Sequence, residues 1–206
     1  MWLQILVSVL VGYLLGNLNG SVCISALMHD DVRSHGSGNA GLTNFIRNYG
    51  AGQAILVILI DAGKAAVACL AGGMIMGPSG YWLEGLTLGG LAVMLGHDFP
   101  ALLGFRGGKG ILSGLFIALS VDWRIALIIL AVFAIAYLAT QYVSLGSVLA
   151  AVAFGISFVI LHNDNLFVMV SGLCMAALTI FMHRSNIVRL IKGEERKTDL
   201  FKKGNT

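Results

Sequence analysis

The sequence predicts an all-helical integral membrane protein of about seven transmembrane helices, with the N-terminus outside and the C-terminus cytoplasmic. Three observations lead there. Of 206 residues, 57% are hydrophobic and only 11% charged. A soluble domain carries about 25% charged residues, so polar side chains are too few here to cover a water-exposed surface. The apolar residues also fall in continuous runs near the roughly 20 residues that a helix needs to cross the hydrocarbon core, without the alternation of a transmembrane barrel. Finally, 27 Gly against 2 Pro fit close-packed membrane helices better than a turn-rich β protein. A soluble enzyme, a nucleic-acid-binding domain and a disordered tail are excluded on the same grounds.

The first predicted span runs from about Trp2 to Met28, interrupted by Gly12, Gly16, Asn17, Asn19 and Gly20. It begins without a basic stretch, so no cleaved leader is expected. A polar, glycine-containing stretch from His29 to Tyr49 follows. Gly52 to Met76 makes a second span, broken only by Asp61 and Lys64, and Gly77-Pro78-Ser79-Gly80 is a tight turn. Tyr81 to Gly96 is a third, ending at His97-Asp98-Phe99-Pro100. Beyond the Gly107-Gly108-Lys109-Gly110 loop, Ile111 to Val121 is only eleven residues, short for an unaided crossing. Asp122-Trp123-Arg124 marks an interface, and Ile125 to Thr140, Leu145 to Leu161 and Leu166 to Met182 complete seven segments. The whole chain, 1–206, reads as one transmembrane domain.

Charge placement sets the orientation. Seven of the 13 Lys and Arg follow His183: Arg184, Arg189, Lys192, Arg196, Lys197, Lys202 and Lys203. Such a tail fits a cytoplasmic, lipid-facing terminus. With the C-terminus inside, the His29–Tyr49 loop, the Phe99–Gly110 loop and the tail together hold eleven of the 13 basic residues, as the positive-inside rule asks. Cys23, Cys69 and Cys174 lie in separate apolar runs, so neither a disulfide framework nor a zinc site is indicated. They read as small helix-packing residues.

Three cytoplasmic-facing segments are dense in hydrogen-bonding groups: about 29–51, 97–113 and 183–195, followed by a basic tail at 196–206. In the first, Gly36, Gly38 and Gly41 permit backbone conformations that aim successive N–H groups at one anion. Ser37, Asn39, Thr43 and Asn44 add uncharged donors, and Arg47 a fork suited to phosphate. A flexible loop in which Thr43 or Asn44 caps a short helix is the alternative there. In the second, Gly107, Gly108 and Gly110 lead into a helix N-terminus, where phosphate binds well, and Lys109 supplies a compact charge. This is no nucleotide P-loop, since GxxxxGK[ST] would need Gly at 103 and Ser or Thr at 110, where Leu103 and Gly110 stand. In the third, His183 and Asn186 are three apart and share a face if the helix continues. His183 is a candidate proton acceptor or an interfacial residue. Asp61 and Lys64, also three apart, are either a structural pair or substrate groups. Ser144 and Ser147, at the start of the sixth segment, can donate to an oxyanion or phosphate, although helix capping also accounts for Ser144. His97 reads as a loop-shaping residue. Neither HExxH nor a cluster of Asp and Glu suited to Mg²⁺ is present, and no cofactor is expected.

At these same residues, the sequence resembles the acyl-phosphate-dependent glycerol-3-phosphate acyltransferases, the bacterial PlsY family, along essentially its whole length. The family's Ser-Gly-Asn-x-Gly-Ala-Thr-Asn-x-x-Arg appears as Ser37 to Arg47, with Leu42 in place of Ala. Gly-His-x-Phe-Pro is Gly96 to Pro100, and Gly-Gly-Lys-Gly-Val-Ala-Thr becomes Gly107 to Ser113, with Ile111, Leu112 and Ser113 departing. Asp-x-x-Lys-Gly ends in Ala65. Tyr-Val-Ser-Leu-x-Ser is Tyr142 to Ser147, and His-Arg-x-Asn-Ile-x-Arg-Leu-x-x-Gly-x-Glu is complete from His183 to Glu195. The HxxxxD pattern of many glycerolipid acyltransferases is absent at all five histidines.

The resemblance implies a seven-helix protein of the bacterial inner membrane that acylates the 1-hydroxyl of sn-glycerol 3-phosphate. The donor would be an acyl phosphate, and the products lysophosphatidic acid and phosphate. It implies Ser37, Arg47, Lys109 and Asn186 as glycerol-phosphate ligands, with Asn39, Thr43 and Asn44 in the same binding loop. Ser144, Ser147 and the Gly107, Gly108 and Gly110 N–H groups would serve the acyl-phosphate end. His183 would orient or deprotonate the attacking hydroxyl, unless a substrate phosphate acts as base. Membrane lipid is the expected surroundings, with neither nucleic acid nor an obligate protein partner. A transporter or channel for a phosphorylated solute is the alternative function, and a structural membrane subunit a third.

Overall fold

Long apolar runs have nowhere to satisfy their backbone polar groups in lipid except within a helix, and all regular structure among the described residues is helical. The structure, a computed structural model, describes residues 1–198, so most of the expected basic tail at 196–206, including Lys202 and Lys203, lies outside the described residues. In chain order the helices are α1 (Trp2–Gly16), α2 (Gly20–Leu27), α3 (Leu42–Tyr49), α4 (Ala54–Met76) and α5 (Trp82–Asp98). Then come α6 (Ile111–Val121), α7 (Trp123–Thr140), α8 (Val143–Leu161), α9 (Leu166–Met182) and α10 (Arg184–Ile191). Among the described residues, five stretches are long and apolar enough to cross a membrane: Trp2–Leu27, Ala54–Ser79, Trp82–Leu103, Trp123–Thr140 and Val143–Leu161. α9 and α10 reach that length only when taken together, across a bend of 56°. With 11 residues, α6 is about 17 Å long, roughly half the hydrocarbon thickness.

The helices pack through small residues. A Cβ at Gly16 of α1 would stand 2.4 Å from the Val93 carbonyl of α5, and one at Gly72 of α4 only 2.1 Å from the Gly85 carbonyl. Backbones therefore approach closely, which is how van der Waals contact drives association in lipid. The main core gathers Ala65, Cys69, Val93, Met94, Ile117, Phe154, Phe158 and Met175. A second cluster, Ile24, Val32, Phe45, Ala54 and Val57, lies beneath the 29–53 loop. Leu3, Leu59, Leu138 and Ile160 remain exposed, as a lipid-facing surface requires. Of the cysteines, Cys69 packs in the core as expected, whereas Cys174 faces outward.

The first span is broken rather than continuous. α1 ends at Gly16 and α2 begins at Gly20, which leaves buried carbonyls and N–H groups without helical partners. Asn19 caps α2 by accepting from Val22 N, and its amide donates to Ala40 O at 3.0 Å. The Asn17 amide donates to Tyr13 O, and its oxygen accepts from Leu102 N at 3.0 Å. Lys64 of α4 donates to the Gly16 and Leu18 carbonyls at 3.4 and 2.5 Å, while Asp61 accepts from Gly20 N at 3.1 Å. The two side chains pair at 2.8 Å. Both side chains thus splint the break, and Asp61 also borders the cavity described below.

Candidate active site

The polar loops meet at one end of the bundle. Asn44, in the first turn of α3, organises the first loop: its oxygen accepts from Ser37 N at 3.0 Å, and its amide donates to Val32 O and His35 O at 3.0 and 3.1 Å. Gly36 and Gly38 take left-handed φ values of +60° and +70°, and a Cβ at Gly36 would lie 2.4 Å from Asn44 Oδ1. Gly41 rather than Thr43 or Asn44 caps α3, in which those two are the second and third residues. Asn44 therefore acts by holding the loop, and Ser37, Thr43 and Arg47 form its cavity-facing edge.

The second loop rests on His97. Gly108 N donates to the His97 carbonyl at 3.0 Å, and a Cβ at Gly108 would fall 2.1 Å from His97 Nε2. At Gly107 it would fall 2.0 Å from the His97 carbonyl. These two glycines thus pack behind the site, while Lys109 and Gly110 line it. Asn39 ties the loops together, its amide reaching Gly107 O at 3.4 Å. His97 is itself fixed by Lys64, whose ammonium lies 2.7 Å from Nδ1.

The third segment supplies the opposite wall. Lys109 Nζ donates to Asn186 Oδ1 at 2.5 Å; the Asn186 amide donates to Glu195 Oε1 at 2.9 Å, and Arg189 Nε to Glu195 Oε2 at 2.7 Å. This four-residue chain leaves Glu195 with a side chain 5% exposed. Burial pushes the carboxyl pKa up, but Asn186, Arg189 and Ser144 outweigh it and hold the group below its ordinary value. Burial lowers Lys109 to about 8, aided by Arg189 and Arg47 and opposed by Glu195. His183 does not sit on a continuing helix with Asn186: the chain bends there, and His183 precedes α10 as its cap residue. The bend still brings both onto the cavity. His183 Nδ1 lies 2.8 Å from Thr179 O; a carbonyl can only accept, so Nδ1 carries the proton and Nε2 is the basic nitrogen.

Ser144 and Ser147 reach the cavity from the first turns of α8. Helix capping does not account for Ser144, since α8 starts at Val143 after Tyr142 and has no side-chain cap. Ser147 donates to Val143 O at 2.9 Å. From this polar end the cavity, about 380 Å³, runs on between Leu112 and Leu115, Ile129, Leu130 and Phe133, Ala150, Ala151 and Phe154. The lining thus joins cations, amides and hydroxyls to a run of hydrocarbon side chains. Such a shape suits an anionic head with an apolar chain. Among the described residues no group of three or more His, Cys, Asp or Glu is arranged to hold a metal ion.

Sequence reasoning missed the anchoring role of Glu195 and the contribution of Thr198, which accepts from Arg47 Nε at 3.0 Å and from Nη2. Glu195 carried a signal as the last residue of the third motif. Thr198 carried none.

The model of the family described as glycerol-3-phosphate acyltransferase matches residues 6–193. A glycerol-3-phosphate acyltransferase of a Thermoanaerobacter species is 38% identical over 189 residues, covering 91% of this chain and 92% of the relative. That of Finegoldia magna is 36% identical over 197 residues, covering 95% and 97%. A crystal structure of PlsY, an integral membrane glycerol 3-phosphate acyltransferase in its glycerol 3-phosphate form, superposes with a TM-score of 0.85 at 32% identity. The match covers 96% of this chain and 99% of that one. The lysophosphatidic acid form gives 0.82 at 33%, covering 95% and 96%.

Proposed function

The chain belongs to the glycerol-3-phosphate acyltransferase family, and on that premise we propose that it transfers a fatty acyl group from acyl phosphate to the 1-hydroxyl of sn-glycerol 3-phosphate. The products are lysophosphatidic acid and inorganic phosphate, and the step is the first acylation of bacterial phospholipid synthesis. One observation carries the reading. Arg47, Lys109, His183 and Asn186 border one cavity that continues along Leu112, Leu115, Ile129, Leu130, Phe133 and Phe154, so two phosphates and an acyl chain can be held together.

Ser37, Arg47, Lys109 and Asn186 bind the glycerol phosphate, beside Thr43 and the loop that Asn39 and Asn44 fix. The N-terminal turns of α6 and α8, with Gly110, Ser144 and Ser147, serve the acyl-phosphate end, where unpaired helix N–H groups favour an anion. Gly107 and Gly108 set the loop's path behind them. The 1-hydroxyl oxygen bonds to the acyl carbon, and the bond from that carbon to the phosphate oxygen breaks. The hydroxyl proton passes to His183 Nε2 or to the leaving phosphate. Phosphate leaves readily from a mixed anhydride, so no enzyme nucleophile is required. The protein's part is to hold both anions in register and stabilise the carbonyl oxyanion.

The reading sets seven crossings, with α6 as the short one, in the bacterial inner membrane. The loops and C-terminus are cytoplasmic, where the basic residues favour them. The solute-transport alternative is weakened because Asp61 and Lys64 satisfy each other and the α1–α2 break. The decisive assay compares palmitoyl phosphate with palmitoyl-CoA on purified protein in detergent. Phosphate release from palmitoyl phosphate is expected only with glycerol 3-phosphate present, and no acyl transfer from palmitoyl-CoA. Transfer from the thioester alone would reject the proposed donor.

A further inference from the structure

Beyond α10 the chain has no regular structure through residue 198, yet it is anchored at each step. Gly193 turns it with a left-handed φ of +71°, and Glu194 N donates to Arg189 O at 2.8 Å. The Glu195 carboxylate holds Asn186 and Arg189. The Arg196 carbonyl accepts from Arg47 Nη2 at 3.4 Å, and the Lys197 ammonium lies 5.5 Å from the centre of the Tyr142 ring. Thr198 is bound on all sides. Its N–H donates to Gln141 O at 3.0 Å, its carbonyl accepts from Tyr137 OH at 3.0 Å, and its hydroxyl accepts from Arg47 Nε at 3.0 Å and from Nη2. Only 6% of Thr198 is exposed. Gln141 itself sits at φ +61°, a conformation L-residues rarely adopt, between α7 and α8.

We propose that residues 194–198 form a strap that closes the outer side of the site, and that Thr198 is a positioning residue which orients Arg47 toward the substrate phosphate. The proposal rests on Arg47 being a glycerol 3-phosphate ligand. The strap crosses from α10 to the α7–α8 junction, beyond the part of the chain shared with the family model, and meets α3 at Arg47. A guanidinium presents five N–H donors in a rigid plane. Thr198 takes the edge formed by Nε and Nη2, and the Arg196 carbonyl takes the second Nη2 proton, which leaves the two Nη1 protons to bond a phosphate. Without that hydroxyl the long Arg47 side chain, partly open to water, samples several rotamers and loses affinity to ordering.

The test is steady-state kinetics on full-length protein in detergent with palmitoyl phosphate as donor. Thr198→Val is expected to raise the KM for glycerol 3-phosphate about three- to tenfold, the weight of one hydrogen bond. The kcat and the KM for palmitoyl phosphate stay within about twofold, since the chemistry is untouched. Thr198→Ser, which keeps the hydroxyl, should restore the wild-type KM. Thr198→Ala gives the same reading as Val should the valine variant fail to fold. An unchanged KM in both Val and Ala variants overturns the proposal. A lowered KM does too, since it would make the strap a competitor for Arg47. Arg47→Ala separates the levels: a wild-type KM there removes both the ligand assignment and this inference, whereas an impaired Arg47→Ala beside an unaffected Thr198→Val removes the inference alone.

Discussion

Burial holds the Lys109 ammonium at a pKa of about 8, with Arg189 and Arg47 deepening the depression and Glu195 opposing it. A phosphate beside it favours the charged form and raises that value again. Below pH 8 the unliganded site is therefore already charged. Above it, binding must first recover a proton, and the KM for glycerol 3-phosphate should climb toward about tenfold per pH unit. Initial rates between pH 6.5 and 9.5 check this. Lys109→Arg, whose charge persists throughout, should lose the inflection, while Lys109→Ala should raise the KM at least about tenfold at every pH. At this scale the sequence was most informative where chemistry is local. Lys109, Arg47, Asn186 and His183 all border the cavity. Asn44 was chosen for its polarity, but its amide is fully engaged by loop carbonyls, a fate that depends on how residues 32–37 fold back and not on residue type. Thr198 was illegible for a similar reason: its partners lie 151 and 61 positions away, at Arg47 and Tyr137.

Helices were legible from the length of apolar runs, since lipid forces backbone hydrogen bonds inward. Their breaks were less so. Glycines and asparagines near residue 17 were visible, but whether they bend or end a helix depends on whether another element can satisfy the freed groups, and here α4 does, through Lys64 and Asp61. The bend at His183 and the start of α8 at Val143 rather than Leu145 were likewise not legible. Two substitutions test element placement. Gly108→Ala would set a methyl 2.1 Å from His97 Nε2, so the second loop must move and the 2.5 Å Lys109–Asn186 contact be lost. The KM for glycerol 3-phosphate should rise without a large fall in melting temperature. Lys64→Met leaves the Asp61 carboxylate buried and unpaired, at a cost of about 3–5 kcal/mol. Melting in detergent should show a marked drop, largely relieved when Asp61→Asn is added.

For the molecule as a whole, the loops at 36–47, 107–110 and 183–195 wall one cavity, so they must share one side of the bilayer. With the native cysteines replaced, Gly38→Cys and Ser185→Cys should both react with an impermeant maleimide only in inside-out vesicles. Labelling of the two from opposite sides would dismantle the shared site. The splint inside the bundle bears on how such a chain reaches the membrane at all. A lone lysine near the middle of a helix costs about 2.5–3.5 kcal/mol on insertion. Asp61 and Lys64, 2.8 Å apart on a single helix, let α4 leave the translocon carrying its own counter-ion. The charge is then shielded during biogenesis, before α1 and α2 have docked.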